Sequence, residues 1–458
     1  MDPALQRILQ VLGPDAQLAV VGGVVRDRLL GRAGGDWDLA TALLPGVVLE
    51  RAQAAGLRAI PTGLQHGTVT LMEAGQAFEL TTFRGDGAYL DGRRPESVVL
   101  GLTLEQDLAR RDFTINAMAL PAEALEREDW QAFLVDPFGG RRDLEARLIR
   151  AVGDPLLRFR EDGLRCLRAC RFQAQLGFAI EPGTLAAIPP CLGVAAKVAV
   201  ERAMVELTKL LCGPEPERGL TSLAGTGLLD LWLPELRPMV GCVQNRHHRY
   251  PVWEHVLEVI RQAPPEPDLR WAALLHDAGK PAARTVDPRG ETHFYGHEAI
   301  SVTMAGAILT RLRASHALIR QVTALVRHHG THPGPEWGDA ACRRFLKQLR
   351  EDDLPLERWA SFRIADQSGK GFGVQPYQAE HAALVARLQA LAAQRPPLAI
   401  QALALDGRAL MALAERKGGP WLGQLQQVLM EAVLEDPARN QPGPLRELAG
   451  GWLDGHPD

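Results

Sequence analysis

The chain has 458 residues, enough for about three domains, and 46% of them are hydrophobic, which excludes a disordered chain. Lys+Arg 51 against Asp+Glu 55 gives a formal charge of −4, which excludes a generally basic nucleic-acid coat but not a local basic track. No apolar run approaches roughly 18 residues and the N-terminus has no signal pattern, so neither a membrane span nor secretion is expected.

The first 140 residues alternate strand-like and helix-like stretches. Short apolar or alternating runs predict strands over 17–21, 36–41, 67–72 and 77–83, the last two as a hairpin around the turn at 73–76. A helix is predicted from Val24 to Leu30, and from about residue 144 the pattern is mostly helical, including a helix over 160–176. The sequence therefore predicts an α+β fold, with a small mixed-sheet head followed by an all-helical neck, body and tail.

Cysteine and lysine are both sparse. Six cysteines are scattered and none forms a CxxC pair, which is typical of buried thiols in a reducing cytoplasm. The chain has only six lysines, and the first 196 residues contain none. A side chain that binds phosphate in that segment is therefore expected to be arginine or a hydroxyl residue.

Two aspartates flank Trp37 on the second predicted strand. Because strand side chains alternate, Asp36 and Asp38 face the same side and repel each other unless a cation lies between them. Mg²⁺ takes such oxygen ligands and often bridges to substrate phosphates. Glu79, on a neighbouring predicted strand, offers a third carboxylate. A DxD pair taken alone is more often a solvated turn than a metal site, so the functional interpretation depends on the residues around it.

A glycine pair lies just upstream of these carboxylates. Gly22 and Gly23 allow the backbone to approach a phosphate closely, and the following helix N-terminus offers free N–H groups. Arg26 lies one turn into that helix. Glycines, arginine and paired carboxylates are together the parts that two-metal phosphoryl transfer requires.

Ordered motifs run through the first half of the chain. They are GGVVRDRLLG with DWDLAT (22–41), RRDFTINAMA (110–119), DPFGGRRDL (136–144), and REDGLR with RF (160–172), followed by ER and EL (201–207). This set resembles the class II tRNA nucleotidyltransferase and bacterial poly(A) polymerase family.

The resemblance implies a role for each matching residue. Asp36 and Asp38 are implied as the metal-binding catalytic carboxylates, with Glu79 as a third member. The residues implied to bind the nucleotide are Gly22, Gly23 and Arg26 at the triphosphate, and Arg111, Asp112 and Asn116 at the ribose and phosphates. Without the family, 110–119 also fits an ordinary helix start capped by Asp112 or Thr114.

The neck carries a pair suited to reading a base. Asp162 and Arg165 are three residues apart on the predicted helix, so they share a face. The aspartate accepts hydrogen bonds and the arginine donates them. Cytosine and adenine present an amino donor beside a ring-nitrogen acceptor, which matches this pair, whereas uracil and guanine present the opposite polarity. A plain ion pair is the structural alternative.

In the family that these motifs resemble, the EDxxR segment selects the nucleotide. The resemblance implies that Glu161 orients Arg165 and that Arg168 and Arg171 complete the nucleotide-binding set. The segment 141–171 has nine arginines against five acids, a local basic track suited to an RNA acceptor end. A solvated helix of mixed charge is the alternative reading.

A glycine-rich, charged loop is predicted over 84–95. The family uses a loop at this point to switch its pocket from C to A, and members that add only CC are shortened there. This chain keeps a full-length loop, with Arg84, Asp86, Tyr89, Asp91 and Arg93. Addition of only CC is therefore disfavoured, while full CCA addition and A addition both stay open.

A second constellation lies in the body, where ten of the 13 histidines fall between 247 and 332. The metal-ligand candidates, in the order H…HD…D, are His255, His276, Asp277 and Asp366, with His297 and His328 as further candidates. Imidazole and carboxylate ligands suit a divalent metal such as Mn, Ni or Mg. The set resembles the HD metal-dependent phosphohydrolase superfamily, which implies phosphatase or phosphodiesterase activity. The alternative is a helical scaffold whose histidines are partly structural.

These observations predict four segments: a polymerase β-like head (1–140), a neck (141–212), an HD-type body (213–375) and a tRNA-binding tail (376–458). The resemblance implies template-independent addition of C, C and A to the tRNA 3′ end from CTP and ATP, with Mg²⁺ and release of pyrophosphate. The alternatives are an A-adding enzyme, an HD phosphohydrolase with a nucleotide-sensing head, and an RNA-binding protein without catalysis. The expected partners are the tRNA acceptor end, CTP and ATP, with no membrane, in the cytoplasm.

Overall fold

A computed structural model describes residues 2–32, 37–86, 98–334 and 336–456. The chain forms two compact units, Met1–Arg237 and Pro238–Asp458. The predicted boundary between neck and body, after residue 212, falls inside the first unit. All six cysteines lie within the described residues and carry free thiols. Among the described helices, none combines the length and apolar character that crossing a membrane requires.

The first unit contains a mixed sheet and a set of helices. Its strands are β1 (Ala19–Val21), β2 (Trp37–Thr41), β3 (Arg58–Gly63), β4 (Thr68–Glu73), β5 (Gln76–Thr82), β6 (Arg84–Asp86), β7 (Val98–Leu100), β8 (Ala119–Pro121), β9 (Leu148–Ile149) and β10 (Ala179–Ile180). Its helices are α1 (Pro3–Leu12), α2 (Gly23–Leu29), α3 (Pro45–Ala54), α4 (Leu104–Ala109), α5 (Gly140–Glu145), α6 (Pro155–Glu161), α7 (Leu164–Leu176), α8 (Pro182–Ala186), α9 (Leu192–Ala195), α10 (Val200–Leu211), α11 (Pro216–Thr226) and α12 (Leu229–Trp232).

The central sheet of the first unit has the strand order β3-β4-β5-β2-β1-β8. β2 and β5 run parallel and the other neighbours run antiparallel, so the predicted mixed sheet is confirmed. The predicted hairpin over 67–83 forms as β4 and β5, joined at Ala74-Gly75. β3 and the edge strand β8 were not predicted.

Alternation along the strands separates the two faces of this sheet. On one face Val20, Leu39 and Leu80 pack in a core with α1, whose Leu5 and Ile8 lie on its apolar stripe. On the opposite face lie the residues between them, such as Asp38 and Glu79. The first face anchors the sheet. The opposite face carries a smaller apolar cluster around Val21 and Ala40, and beside it leaves Asp38 and Glu79 for the site.

The predicted helix over 160–176 is interrupted, which corrects the sequence expectation at its start. α6 ends at Glu161, and Asp162 is extended with φ −143° and ψ 107° before α7 begins at Leu164. Gly163 is required at this break because a Cβ there would lie 2.6 Å from the backbone of Val194 and Ala195. Asp162 and Arg165 therefore do not share one helix face. The helical neck also contains a short parallel pair, β9 with β10.

The second unit is mostly helical. Its helices are α13 (Val252–Gln262), α14 (Pro267–Leu275), α15 (Lys280–Ala283), α16 (His297–Arg311), α17 (His316–His328), α18 (Asp339–Glu351), α19 (Leu356–Gly369), α20 (Gln375–Ala393), α21 (Gly407–Ala414), α22 (Pro420–Glu435) and α23 (Pro442–Asp454). One antiparallel pair, β11 (Thr285–Val286) with β12 (Thr292–His293), lies between α15 and α16. α13, α14, α17 and α19 pack on one another, and α21, α22 and α23 share a separate core around Leu410, Leu425 and Leu429.

Candidate functional site

A cavity of about 600 Å³ lies in the first unit and is strongly basic, since eight arginines and four acids line it. Its walls come from the sheet face that carries Asp38 and Glu79, the segment after α4 and the start of α7. Most of the predicted site residues meet here: Gly22, Gly23, Arg26, Asp38, Glu79, Arg111, Asp112, Asn116, Asp162, Arg165, Arg168 and Arg171. Such a cavity suits a polyanionic ligand held by arginine.

Asp38 and Glu79 are register partners on the parallel strands β2 and β5, so their side chains project from the same face. Asp38 Oδ2 lies 3.5 Å from Arg111 Nη1. Burial raises the pKa of Asp38, although the Arg111 charge acts against it. Two neighbouring carboxylates offer oxygen ligands, which Mg²⁺ prefers, and a divalent cation would offset the repulsion between them, so Asp38 and Glu79 fit a Mg²⁺ site. Asp36, predicted as the other catalytic carboxylate, lies outside the described residues.

Gly22 lies against Asp38 and Arg111, and both its backbone conformation and the lack of space for a side chain require glycine at this position. Its φ of +71° is a conformation that other residues rarely adopt, and a Cβ there would lie 2.6 Å from Arg111 Nη1 and 3.1 Å from Asp38 Oδ2. The glycine therefore keeps Asp38 accessible from the cavity.

The loop expected to switch the pocket is described only at Arg84–Asp86, and its residues 87–97 lie outside the described part of the chain.

A chain of hydrogen bonds crosses from the head to the neck. Arg26 Nη1 donates to Asn116 Oδ1 at 2.7 Å, and Asn116 Nδ2 donates to Asp112 Oδ1 at 3.2 Å. The other oxygen of Asp112 accepts from Arg168 Nε at 2.7 Å and Nη2 at 2.6 Å. Burial would raise the pKa of Asp112, but Arg168 and Asn116 lower it to about 2. Asp112 is therefore ionised at neutral pH, and it positions Arg168.

Several residues of this site were not assigned a role from the sequence, and three of them contact predicted site residues. Glu206 is buried and pairs with Arg171 at 2.6 Å and with Arg168 at 3.5 Å. Phe172 lies under both guanidinium groups, with Arg171 Cζ 3.7 Å from the ring centroid. Arg202 also lines the cavity, and its Nη2 donates to Asp162 Oδ2 at 2.8 Å. Glu206 and Arg202 belong to the motif at 201–207, which was a signal without an assigned function.

The two residues expected to read the base line the same cavity but hold other partners. Arg165 pairs with Glu161, and Arg165 Nη2 donates to the Arg110 carbonyl at 2.9 Å. Asp162 Oδ1 accepts from the Leu164 N–H at 3.0 Å, and Oδ2 accepts from Arg202 Nη2 at 2.8 Å. Each side chain is thus fixed by the protein before a nucleotide arrives.

The second unit gathers two groups of metal-ligand atoms around one carboxylate. Asp277 Oδ2 lies 3.2 Å from His276 Nε2 and 3.5 Å from His255 Nε2, and Asp366 Oδ1 lies 3.2 Å from His255 Nε2. Asp277 Oδ1 faces the other way, 3.3 Å from His297 Nε2 and 3.7 Å from the Nε2 of His329. This arrangement fits two divalent cations that share Asp277.

The backbone orients three of these imidazoles for metal binding. Their Nδ1 atoms lie 3.0, 2.8 and 2.6 Å from carbonyl oxygens, in the order His276 with Ala273, His297 with Phe294, and His329 with Val326. A carbonyl accepts the Nδ1 proton, so Nε2 is the ring atom that faces the cluster and can serve as a metal ligand once it has lost its proton. Imidazole nitrogens and carboxylate oxygens thus converge as the mixed ligand set that a divalent cation prefers, which supports the fit.

His328 does not join the cluster, although the sequence offered it as a ligand. Its Nε2 lies 2.6 Å from Asp352 Oδ2, and the adjacent His329 faces Asp277 instead. Both histidines are buried, so the burial pattern of the helix does not distinguish them.

The charges around Asp277 determine its protonation state. Burial would raise the pKa of Asp277, but His276 and Lys280, whose Nζ is 2.7 Å away, hold that pKa well below its usual range.

Three segments match known domain families. Residues 18–150 match the poly A polymerase head domain, 177–239 the probable RNA and SrmB-binding site of polymerase A, and 252–362 the HD domain. A CCA-adding enzyme of Geobacillus thermodenitrificans is 34% identical over 435 residues, which cover 94% of this chain and 91% of that protein. The chain belongs to the tRNA nucleotidyltransferase family. The predicted family membership is therefore confirmed.

Other members of the tRNA nucleotidyltransferase family are also similar. An A-adding tRNA nucleotidyltransferase of Deinococcus radiodurans is 37% identical, covering 90% of this chain and 91% of that protein. The crystal structure of the Bacillus stearothermophilus CCA-adding enzyme in complex with CTP has a TM-score of 0.71 at 29% identity, covering 99% of this chain and 98% of that one. The predicted fold class, a mixed-sheet head with a mostly helical remainder and an HD domain, is thereby confirmed.

Proposed function

We propose that the protein extends the 3′ end of tRNA without a template, adding C, C and A from CTP and ATP in the cytoplasm. One observation carries this proposal: Asp38 and Glu79 line the same arginine-rich cavity as Asp162 and Arg165. Groups suited to phosphoryl transfer and groups suited to reading a base thus lie within reach of one nucleotide.

The chain's own residues bind and orient the nucleotide for the reaction. Gly22, Gly23 and Arg26 contact the triphosphate, and Arg168 and Arg171 balance its negative charge. The RNA 3′ oxygen forms a bond to the α-phosphorus, the bond to pyrophosphate breaks, and the hydroxyl proton is lost to solvent. Mg²⁺ ions bound at Asp36 and Asp38, with Glu79 beside them, would activate the attacking oxygen and neutralise the leaving group. The tail, 376–458, is assigned to binding the tRNA.

Asp162 and Arg165 would select the base by polarity. A carboxylate that accepts from an exocyclic amino group, beside a guanidinium that donates to a ring nitrogen, fits C and A. U and G place a carbonyl and an N–H in the reversed positions, which leaves buried groups without partners and costs about 1–3 kcal/mol for each.

Three tRNA transcripts test the reaction, ending before CCA, after C and after CC, each supplied with single nucleotides. Full CCA addition predicts C on the first two transcripts and A on the third. Extension of only the third by ATP would assign A addition, the activity named for the Deinococcus relative. Asp36→Ala with Asp38→Ala should abolish every extension while tRNA binding persists. Asp15→Ala, which removes a surface partner of Arg51, is the matched control.

A second candidate function is metal-dependent hydrolysis of phosphoesters at the histidine cluster. The convergence of Nε2 atoms on both oxygens of Asp277 favours it. Purified protein should contain or take up Mn, Ni or Mg, measured by elemental analysis, and hydrolyse p-nitrophenyl phosphate. Asp277→Asn should lose metal and hydrolysis but keep nucleotide addition, and loss of both activities would contradict two separate sites.

A further inference from the structure

Two threonines line the arginine-rich cavity of the first unit, beside the proposed catalytic carboxylates. Thr68 on β4 and Thr81 on β5 are register partners, and their hydroxyl oxygens lie 3.2 Å apart. Thr81 follows Glu79 by two residues, so these two side chains project from the same face of β5. Among the described residues that line the cavity, Thr68 and Thr81 are the only ones with a hydroxyl group. The cavity therefore offers hydroxyl groups at one place.

This hydroxyl pair keeps unused hydrogen-bonding capacity. Thr82, the next residue along β5, is buried and donates to the Leu43 carbonyl at 2.7 Å. Thr68 and Thr81 instead contact only each other among the described residues, which uses one hydroxyl proton and leaves the second proton and further lone pairs available. A ligand group that both donates and accepts hydrogen bonds fits such a pair, whereas an arginine offers only donors.

The strand order places the threonine pair on one side of Asp38 and the triphosphate residues on the other. β2, which carries Asp38, lies between β5 and β1 in the sheet. Gly22 and Gly23 follow the end of β1, while Thr81 and Thr68 lie on β5 and β4. Three strand spacings of about 4.8 Å separate β4 from β1, a span of about 14 Å. The cavity therefore has two distinct sides, with Asp38 between them.

In-line displacement gives these two sides different roles. The attacking and leaving oxygens lie roughly in line, on opposite sides of the reacting phosphorus. In the proposed reaction pyrophosphate leaves towards Gly22, Gly23 and Arg26, so the RNA 3′ oxygen approaches from the side of β5. The ribose that carries this oxygen also carries the neighbouring 2′-hydroxyl, which is both a donor and an acceptor. The threonine pair has the chemistry that this 2′-hydroxyl requires.

A threonine pair across two strands is also an ordinary stabilising contact in β-sheets. Thr62 on β3 and Thr70 on β4 form such a pair, with hydroxyl oxygens 3.0 Å apart. Alternation places Thr70 on the same face as Thr68, but the described lining of the cavity includes neither Thr62 nor Thr70. The two pairs differ in position rather than in chemistry, which provides a control within one sheet.

We propose that Thr68 and Thr81 bind the 2′-hydroxyl of the terminal ribose of the RNA, so that RNA ends are preferred to DNA ends. This inference rests on the function proposed above and adds the subsite for the RNA terminus. Arg84 lines the same cavity, and its Nη1 donates to the carbonyl of His66, two residues before Thr68. The positive charge of Arg84 at this end suits the phosphate that precedes the terminal ribose. The threonines position the RNA terminus and take no part in the chemical step.

A double-mutant cycle between the protein and the RNA end tests this subsite. Transcripts that end in CC, with a ribose or a 2′-deoxyribose as the last sugar, are extended with ATP by wild-type protein and by the Thr68→Val, Thr81→Val double variant. The 2′-deoxy end should lower kcat/KM in wild type, and this penalty should be about 2-fold to 12-fold smaller in the double variant, the value of one neutral hydrogen bond. The intrinsic effect of the 2′-hydroxyl on 3′-hydroxyl reactivity is the same in both proteins and cancels.

Three further variants separate hydrogen bonding from strand structure. Valine keeps the β-branched shape that suits a strand, and Thr81→Val alone tests the subsite if the double variant does not fold. Thr81→Ser keeps the hydroxyl and should retain the wild-type penalty. The control pair, Thr62→Val with Thr70→Val, should retain this penalty as well.

The outcomes distinguish this inference from the proposed function. Normal extension with the same 2′-deoxy penalty in wild type and in the folded Thr81→Val variants would overturn the inference and leave the proposed function standing. An equal loss of the penalty in the control pair would do the same. Failure of wild-type protein to extend any transcript would overturn both. Weaker discrimination between ATP and 2′-deoxy-ATP in the Thr81→Val variants would place the threonines at the incoming nucleotide and overturn their assignment to the RNA end.

Discussion

Replacing Arg165 with alanine should change which nucleotide is accepted more than how tightly a triphosphate binds. Its guanidinium lies at the start of α7 and is held by Glu161 and by the Arg110 carbonyl, 2.9 Å from Nη2. This geometry gives the arginine one fixed orientation. The triphosphate is assigned to other residues, Gly22, Gly23 and Arg26, which the substitution does not touch.

The size of the effect follows from the hydrogen bonds at the base edge. Arg165 would donate to the ring acceptor of C or A, and the same donor faces an N–H in U or G. Removing the donor therefore removes a hydrogen bond to the correct bases and relieves a mismatch with the wrong ones. Together these two effects should reduce the free-energy discrimination between correct and wrong bases by about 1–3 kcal/mol. The ratio of kcat/KM for CTP over UTP should then fall by about 5-fold to 150-fold, at 1.4 kcal/mol for each factor of ten.

Single-nucleotide incorporation kinetics with all four triphosphates measure this ratio directly. Arg158→Ala is a matched control, because Arg158 shares Glu161 with Arg165 at 2.8 Å but does not line the cavity. The control should keep its CTP preference. If the Arg165 variant kept the wild-type ratio while its activity fell, the arginine would be supporting the helix break rather than reading the base, and the polarity argument would be wrong.

Two further substitutions test how the site is held together. Asp112→Asn should destabilise the first unit by about 2 kcal/mol at pH 7, because the folded-state pKa of about 2 lies below the ordinary 3.8. That stabilisation is present above pH ~4 and is lost as the pH falls towards 2, so calorimetry should show the difference between wild type and variant shrinking over this interval; a constant difference would contradict the ionic role. Gly163→Ala should cost about 1–3 kcal/mol, since its Cβ would overlap the backbone at 194–195, and an unchanged melting temperature would show that α9 moves aside.

Much of the head could be predicted because its signals are local. Alternating Phe78, Glu79 and Leu80 predict a strand with one polar face, and Ala74-Gly75 marks the turn of its hairpin. β8 escaped prediction because it is a three-residue edge strand, whose pairing with β1 is decided by residues about 100 positions away in sequence. A contact at that separation leaves no periodic pattern.

The candidate site also combines features that local sequence motifs predict with features that depend on contacts distant in sequence. The motifs marked Asp38, Asp162 and Arg165 as functional residues, but helical periodicity continues through the break at Asp162-Gly163. Only the close approach of Ala195 explains why the helix stops there. The choice of His329 over His328 likewise depends on where α17 ends, a boundary that the sequence does not determine to one residue.

The hydrogen-bonded chain from Arg26 through Asp112 to Arg168 and Glu206 has a mechanical consequence. It passes through the neutral amide of Asn116 and through charged groups of both signs, and it connects residues of the sheet-bearing segment with residues of α7 and α10. Sliding one segment past the other would have to separate several of these contacts at once, in surroundings poor in water. The walls that face a nucleotide are therefore expected to move together as one rigid body during nucleotidyl transfer, so that any adjustment of the site falls to segments outside this chain of contacts.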